Sequence, residues 1–232
     1  MKESLCMRRT FHSLPVLFFF FTFYVIQLPS SSYAVNYTVT LDTRSLASEP
    51  APPAPFSLEF QLNDGDGTVN NTITLSNFNF GTGGSATGSP TTTGGASGNL
   101  SSTVTLTDSS FFNEFIQGFT PSSTDPLSFL FDLTTNEEPI TPDSFSLAIF
   151  DSSGIGIPTS FFDVFLQADI TSPLIINTYA SDASLSPPGC PTCAAIEIPS
   201  LLVTTDTSPV PEPSTIVLLT SALSVMALRR RR

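Results

Sequence analysis

Phe56-Ser57-Leu58-Glu59-Phe60-Gln61-Leu62 decides the fold: four large apolar residues alternate with three polar ones, with no break. A period of two puts every apolar side chain on one face of an extended strand, and the polar partners on the other. Such a segment half-buries itself against a core, as strands of antiparallel sheets do. Outward from it the same rhythm recurs. It runs through Tyr37, Val39 and Leu41, then Ile73 and Leu75, with Phe78 and Phe80 beyond an irregularity near Ser76-Asn77. It continues at Val104 and Leu106, at Leu127, Phe129, Phe131 and Leu133, and at Phe145, Leu147 and Ile149. Phe161 to Gln167, Leu174 to Tyr179 and Ala195 to Leu202 are further strand candidates.

Turn-forming clusters separate these runs: Asn63-Asp64-Gly65-Asp66-Gly67, Asn136 to Pro142, Asp151 to Gly154 and Pro187-Pro188-Gly189. Roughly nine or ten short strands with such punctuation predict an all-β chain, a two-sheet antiparallel β-sandwich of jelly-roll-like type. Gly81 to Gly98, poor in apolar residues and rich in Gly, Ser and Thr, reads as a flexible loop. Phe111 to Ile116 breaks the alternation and reads as a short helix or an irregular segment.

The two ends are of another kind. Lys2, Arg8 and Arg9 precede the apolar stretch Leu14 to Leu28, and Ser32-Tyr33-Ala34 supplies small residues at a cleavage site. That is the layout of a secretory signal peptide over residues 1–34, with a helical apolar segment. At the other end Val210-Pro211-Glu212-Pro213 is followed by the apolar run Ile216 to Leu228 and by Arg229, Arg230, Arg231 and Arg232. Thirteen residues of helix span only roughly 20 Å, against the roughly 30 Å of hydrocarbon that a stable transmembrane helix crosses. The arginines extend the reach and favour a cytoplasmic C-terminus. The tail is a marginal helical anchor, with the body on the far side of the membrane.

These three parts in this order resemble the PEP-CTERM signal of Gram-negative bacteria. The resemblance covers residues 210–232 and implies recognition by an exosortase in the inner membrane, after export through the Sec translocon. It further implies delivery to the cell surface or the extracellular matrix, in bacteria that make exopolysaccharide. The stretches Asn71 to Phe80 and Asp143 to Pro158 are similar to β-rich domains of PEP-CTERM proteins of unknown function, a resemblance that brings no catalytic residues. The expected organisation is a signal peptide (1–34), a β-sandwich ectodomain (35–203), a Thr/Ser/Pro linker (204–209) and the sorting signal (210–232).

Composition narrows the function classes. Of the eight basic residues only Arg44 lies in the body, while 18 of the 20 acidic ones do, leaving out Glu3 and Glu212. Nucleic acid is excluded as a partner, since phosphate binding needs a basic footprint. Divalent cations remain. Between residues 35 and 210 there is no His, Lys or Trp, so triads and His-based zinc sites are unavailable. A carboxylate pair could act as in glycosidases, but nothing singles out which two. No catalytic residue is expected, and the role implied is a non-enzymatic one on a surface or in a matrix.

Two motifs remain. Asp64-Gly65-Asp66-Gly67 spaces two carboxylates as calcium loops do, although the acid an EF-hand needs at the twelfth position would fall on Leu75. A plain turn explains the same letters. Cys190-Pro191-Thr192-Cys193, the cysteine pair left in the exported body, reads as a small disulfide in an oxidising setting. No obligate cofactor is expected; calcium and exopolysaccharide are the candidate ligands.

Overall fold

A computed structural model describes residues 33–48, 56–135, 141–171, 174–182 and 200–203. The chain forms β1 (Tyr33–Leu41), a 3-10 turn (Arg44–Ser48), β2 (Phe56–Asn63), β3 (Thr72–Asn79), β4 (Ser85–Thr93), β5 (Gly95–Gly98) and β6 (Thr103–Thr107). There follow β7 (Phe112–Thr120), β8 (Leu127–Thr135), β9 (Asp143–Phe150), β10 (Val164–Ile170), β11 (Ile175–Thr178) and β12 (Ser200–Val203). Two six-stranded sheets result, in the orders β12-β1-β8-β3-β6-β5 and β11-β10-β9-β2-β7-β4. Every ladder is antiparallel.

The pairings nest: β1 with β8, β2 with β7 and β3 with β6. That is a long hairpin rolled over on itself, the topology of a jelly roll. The innermost pair is the exception. Instead of pairing with β4, β5 turns away through Gly94 and joins β6 in the other sheet. Gly94 has φ of 62°, and a Cβ there would lie 2.5 Å from the Phe112 carbonyl oxygen and 2.6 Å from Asn113 Oδ1. Only glycine turns this corner.

Alternation explains the core. On β2, Phe56, Leu58, Phe60 and Leu62 are all fully buried, with the polar residues between them outside. Phe60 is the hub, with ring centroids 6.2 Å from Phe115, 5.8 Å from Phe129, 6.2 Å from Phe145 and 6.1 Å from Phe78. Phe129 belongs to the opposite sheet, so these rings bridge the two layers. The irregularity expected near Ser76-Asn77 is a bulge, where the register of β3 on β8 shifts between Ser76 and Asn79 and Asn77 takes a positive φ of 53°. The extra residue returns Phe78 and Phe80 to the core side after Ile73 and Leu75.

Three expectations need correction. Gly81 to Gly98 is not a flexible loop: most of it forms β4 and β5. As an edge strand β4 tolerates Pro90, and a register shift between Thr87 and Thr91 absorbs Gly88 with its positive φ. Phe111 to Ile116 is neither helical nor irregular beyond its first residue, because β7 begins at Phe112 and pairs along the whole of β2. Its inward positions are Asn113, Phe115, Gln117 and Phe119. The two buried amides serve the crossing segment: Gly95 N–H donates to Asn113 Oδ1 (2.7 Å), Leu100 N–H donates to Gln117 Oε1 (2.8 Å), and Gln117 Nε2 donates to the Gly88 carbonyl (3.0 Å). Among the described residues there are twelve strands rather than nine or ten.

Among the described residues no helix is long and apolar enough to cross a membrane. The segments expected to form the signal and tail helices, the sorting residues Val210 to Pro213 and Arg229 to Arg232, and the Cys190/Cys193 pair lie outside the described residues.

Truncating the hub, Phe60→Ala, is expected to cost about 3–5 kcal/mol of folding stability. By contrast Phe162→Ala, at a ring 79% exposed, stays within about 0.5 kcal/mol. Urea denaturation of the two variants checks the contrast.

Candidate functional site

Register assembles the first candidate site. β2 pairs with β9 so that Asn63 opposes Ser144; one residue further, Asp64 comes beside Asp143. In the other sheet Thr72 opposes Thr107, which brings Asn71 beside Asp108. The segment from Asp64 to Asn71 is the crossing from one sheet to the other, so all these polar groups collect at one end of the sandwich.

Asp64, Asp66 and Asp143 each offer a carboxylate oxygen, and these atoms lie within 4.8 Å of one another. Asp64 and Asp143 are buried and Asp66 is exposed. Backbone donors hold the carboxylates in place. Gly65 N–H donates to Asp143 Oδ1 (2.8 Å), Gly67 N–H to Asp64 Oδ1 (2.5 Å) and Thr68 N–H to Asp66 Oδ1 (2.6 Å). Asn71 Nδ2 donates to Asp143 Oδ2 across the two sheets (3.1 Å). A Cβ on Gly65 would sit 2.4 Å from the Pro142 carbonyl oxygen and 2.7 Å from that of Thr141, so glycine is what lets this chain approach. Behind the cluster, the fully buried Asp108 accepts from the Asn70 and Asn71 N–H groups at Oδ2 (2.8 and 2.6 Å). Its Oδ1 is buried with no hydrogen-bond partner among the described residues.

Burial pushes the Asp143 carboxyl above its ordinary value. The charges of Asp108 and Asp64 push the same way, against the hydrogen bonds from Gly65 and Asn71. Among the described residues no side-chain cation balances the group. Between residues 45 and 228 the sequence holds no basic residue but has carboxylates throughout, and Arg44 is engaged by Asp42.

A second region lies on the outer face of the β2 sheet. Glu59 opposes Ile116, and Gln61 opposes Glu114, so the two glutamates are diagonal neighbours on one face. Burial, the hydrogen bond to Glu114, and the charges of Glu114 and Asp163 raise the Glu59 carboxyl to about 8. Beside it a shallow cleft of ≈ 340 Å³ is lined by Ser57, Ile116, Phe150, Asp151, Ser152 and Gly154. Phe161 and Phe162 form the turn entering β10. Phe161 stacks on Tyr179 with centroids 5.0 Å apart, and Phe162, with φ of 58°, stands exposed. Thr159 pins that turn, its N–H donating to the Phe162 carbonyl (2.7 Å) and its hydroxyl to the Val164 carbonyl (2.9 Å).

Of the residues singled out in the sequence, Asp64 and Asp66 thus come together, joined by Asp143. Sequence reasoning missed Asp143, Asp108, Asn71 and the Glu59/Glu114 pair. Each follows from strand register, and the sole sequence signal was that Asp143 closes a proline-containing turn.

Fold and site together define an acidic, all-β two-sheet sandwich with polar clusters at one end and on one outer face. Residues 209–232 match the PEP-CTERM protein-sorting motif, which implies export, processing by an exosortase and sorting at the membrane toward the cell surface. No curated protein and no solved structure matches the chain.

Glu59 carries a pH dependence. Its folded value of about 8 exceeds the ordinary 4.5, so across that window the folded chain keeps a proton that the unfolded chain has lost. Stability is therefore highest below about pH 4.5 and declines as pH rises towards about 8. Urea midpoints at pH 5 and pH 8 are expected to differ less in Glu59→Gln than in the natural chain.

Proposed function

We propose that the mature protein is a non-enzymatic component of the cell surface or extracellular matrix, released to that role by exosortase processing and working alongside exopolysaccharide. The carrying observation is the sorting motif at 209–232, appended to a body without His, Lys or Trp between residues 35 and 210. Triad chemistry requires a base of the imidazole kind, which that body does not contain. Its strong negative charge suits a soluble, hydrated surface component. Replacing Pro211, Glu212 and Pro213 by alanine is expected to leave a heavier, unprocessed form in the membrane fraction, read by intact mass after fractionation. Deleting the gene is expected to alter cell aggregation and matrix composition; unchanged values for both would sink the matrix role.

A second reading makes the body a carbohydrate-binding module. It is favoured by the aromatic ledge of Phe161, Phe162 and Tyr179. Exposed rings can stack on sugar faces, and the carboxyl groups of Glu59, Glu114 and Asp163 can hydrogen-bond sugar hydroxyls. In calorimetry with the host's own polysaccharide, Phe162→Ala is expected to weaken binding roughly tenfold. A flat trace for the natural chain removes this reading.

A further inference from the structure

We propose that Asp64, Asp66 and Asp143 bind a hard divalent cation of the calcium type at the end of the sandwich where β2, β3, β6 and β9 meet. The inference goes beyond the surface role and does not depend on it.

The donor set decides the metal class. The cluster offers three carboxylate oxygens within 4.8 Å, and the carbonyl oxygens of Thr141 and Pro142 are packed against Gly65 beside them. All-oxygen donors of this sort suit calcium, which accepts six to eight oxygens in flexible geometry, whereas magnesium demands a near-ideal octahedron. No imidazole or thiolate takes part, so zinc and the softer metals lack their preferred ligands.

Asp108 supplies an independent reason. It lies in the low dielectric of the interior, with a relative solvent exposure of 0%, and its Oδ1 has no hydrogen-bond partner among the described residues. Its charge acts on Asp143, and Asn71 links the two, donating its N–H to Asp108 and its amide to Asp143. A buried carboxylate needs a compensating charge. Among the described residues the one basic side chain, Arg44, pairs with Asp42, whereas a cation held by the three neighbouring carboxylates would supply that charge. Such a cation would fasten the crossing loop to β9, so its binding should register as stability.

The test uses the full-length chain in detergent micelles at pH 7 and constant ionic strength, comparing EDTA with added CaCl2. The melting temperature is expected to rise through about 10⁻⁴–10⁻³ M calcium, the range of extracellular modules, with one-site binding heat in calorimetry. Asp66→Asn removes the exposed carboxylate and is expected to move that midpoint roughly tenfold or more to higher calcium. In EDTA, Asp143→Asn is expected to be at least as stable as the natural chain, while losing the calcium response. Should that buried substitution prevent folding, Asp66→Asn decides alone. Asp151→Asn, in a separate turn, should respond as the natural chain does. The proposal is overturned by equal melting temperatures in EDTA and calcium, by an equal rise with NaCl alone, or by an unmoved midpoint in Asp66→Asn. Loss of the response in Asp151→Asn would likewise overturn it, by assigning the effect to overall surface charge.

Discussion

Packing of the phenylalanine-rich inner faces, centred on Phe60, is the interaction the rest of the molecule depends on. Burying such a ring stabilises by about 1.5–3 kcal/mol, and nine of the 15 phenylalanines in the body are buried. Because that face must stay dry, a one-residue slip of β2 would expose four large apolar groups at once, so its register on β7 and β9 is fixed. Fixed register in turn fixes the ends of the strands, where Asp64 meets Asp143. The geometry of the acidic cluster is therefore a consequence of core packing some distance away.

The same constraint explains what could be read from the sequence. Where alternation was clean, as in β2, β8 and β9, the strand and its buried face were legible from residue types alone. The bulge in β3 was legible as well, because a phase change in the apolar pattern has few other physical causes. By contrast β7 was hidden. Two of its inward positions are the amides Asn113 and Gln117, and two exposed rings, Phe111 and Phe112, stand at its start. Those amides make sense only beside the backbone they serve, which belongs to a segment more than ten residues away in sequence. That segment was hidden for the complementary reason. Gly88 in β4 permits the bulge and Gly94 between β4 and β5 permits the corner, while the composition of the segment mimics a loop. Each of the two hid the other.

The acidic site was half legible. Asp64 and Asp66 stand together in the sequence with the spacing of a turn or a calcium loop, and nothing in their own neighbourhood chooses between these. Asp143 lies 77 or more positions away and Asp108 follows β6 of the other sheet; only the paired ladders bring them in. Glu59 and Glu114 pose the same difficulty, since each looks like an ordinary outward residue of an amphipathic strand.

A chain that keeps almost every basic residue out of its body must settle crowded carboxylates by other means, and the structure holds two environments that differ in how. On the outer face, Glu59 is partly buried beside a second glutamate, where retaining a proton relieves the repulsion at little structural cost. At the end of the sandwich three carboxylates converge with backbone N–H donors already on Asp64, Asp66 and Asp143. Those donors fix where each carboxylate sits in the loop. A proton on Glu59 thus settles the outer pair. The cluster's geometry is consequently better matched to a cation, which can share several charged oxygens without displacing the N–H groups that position them.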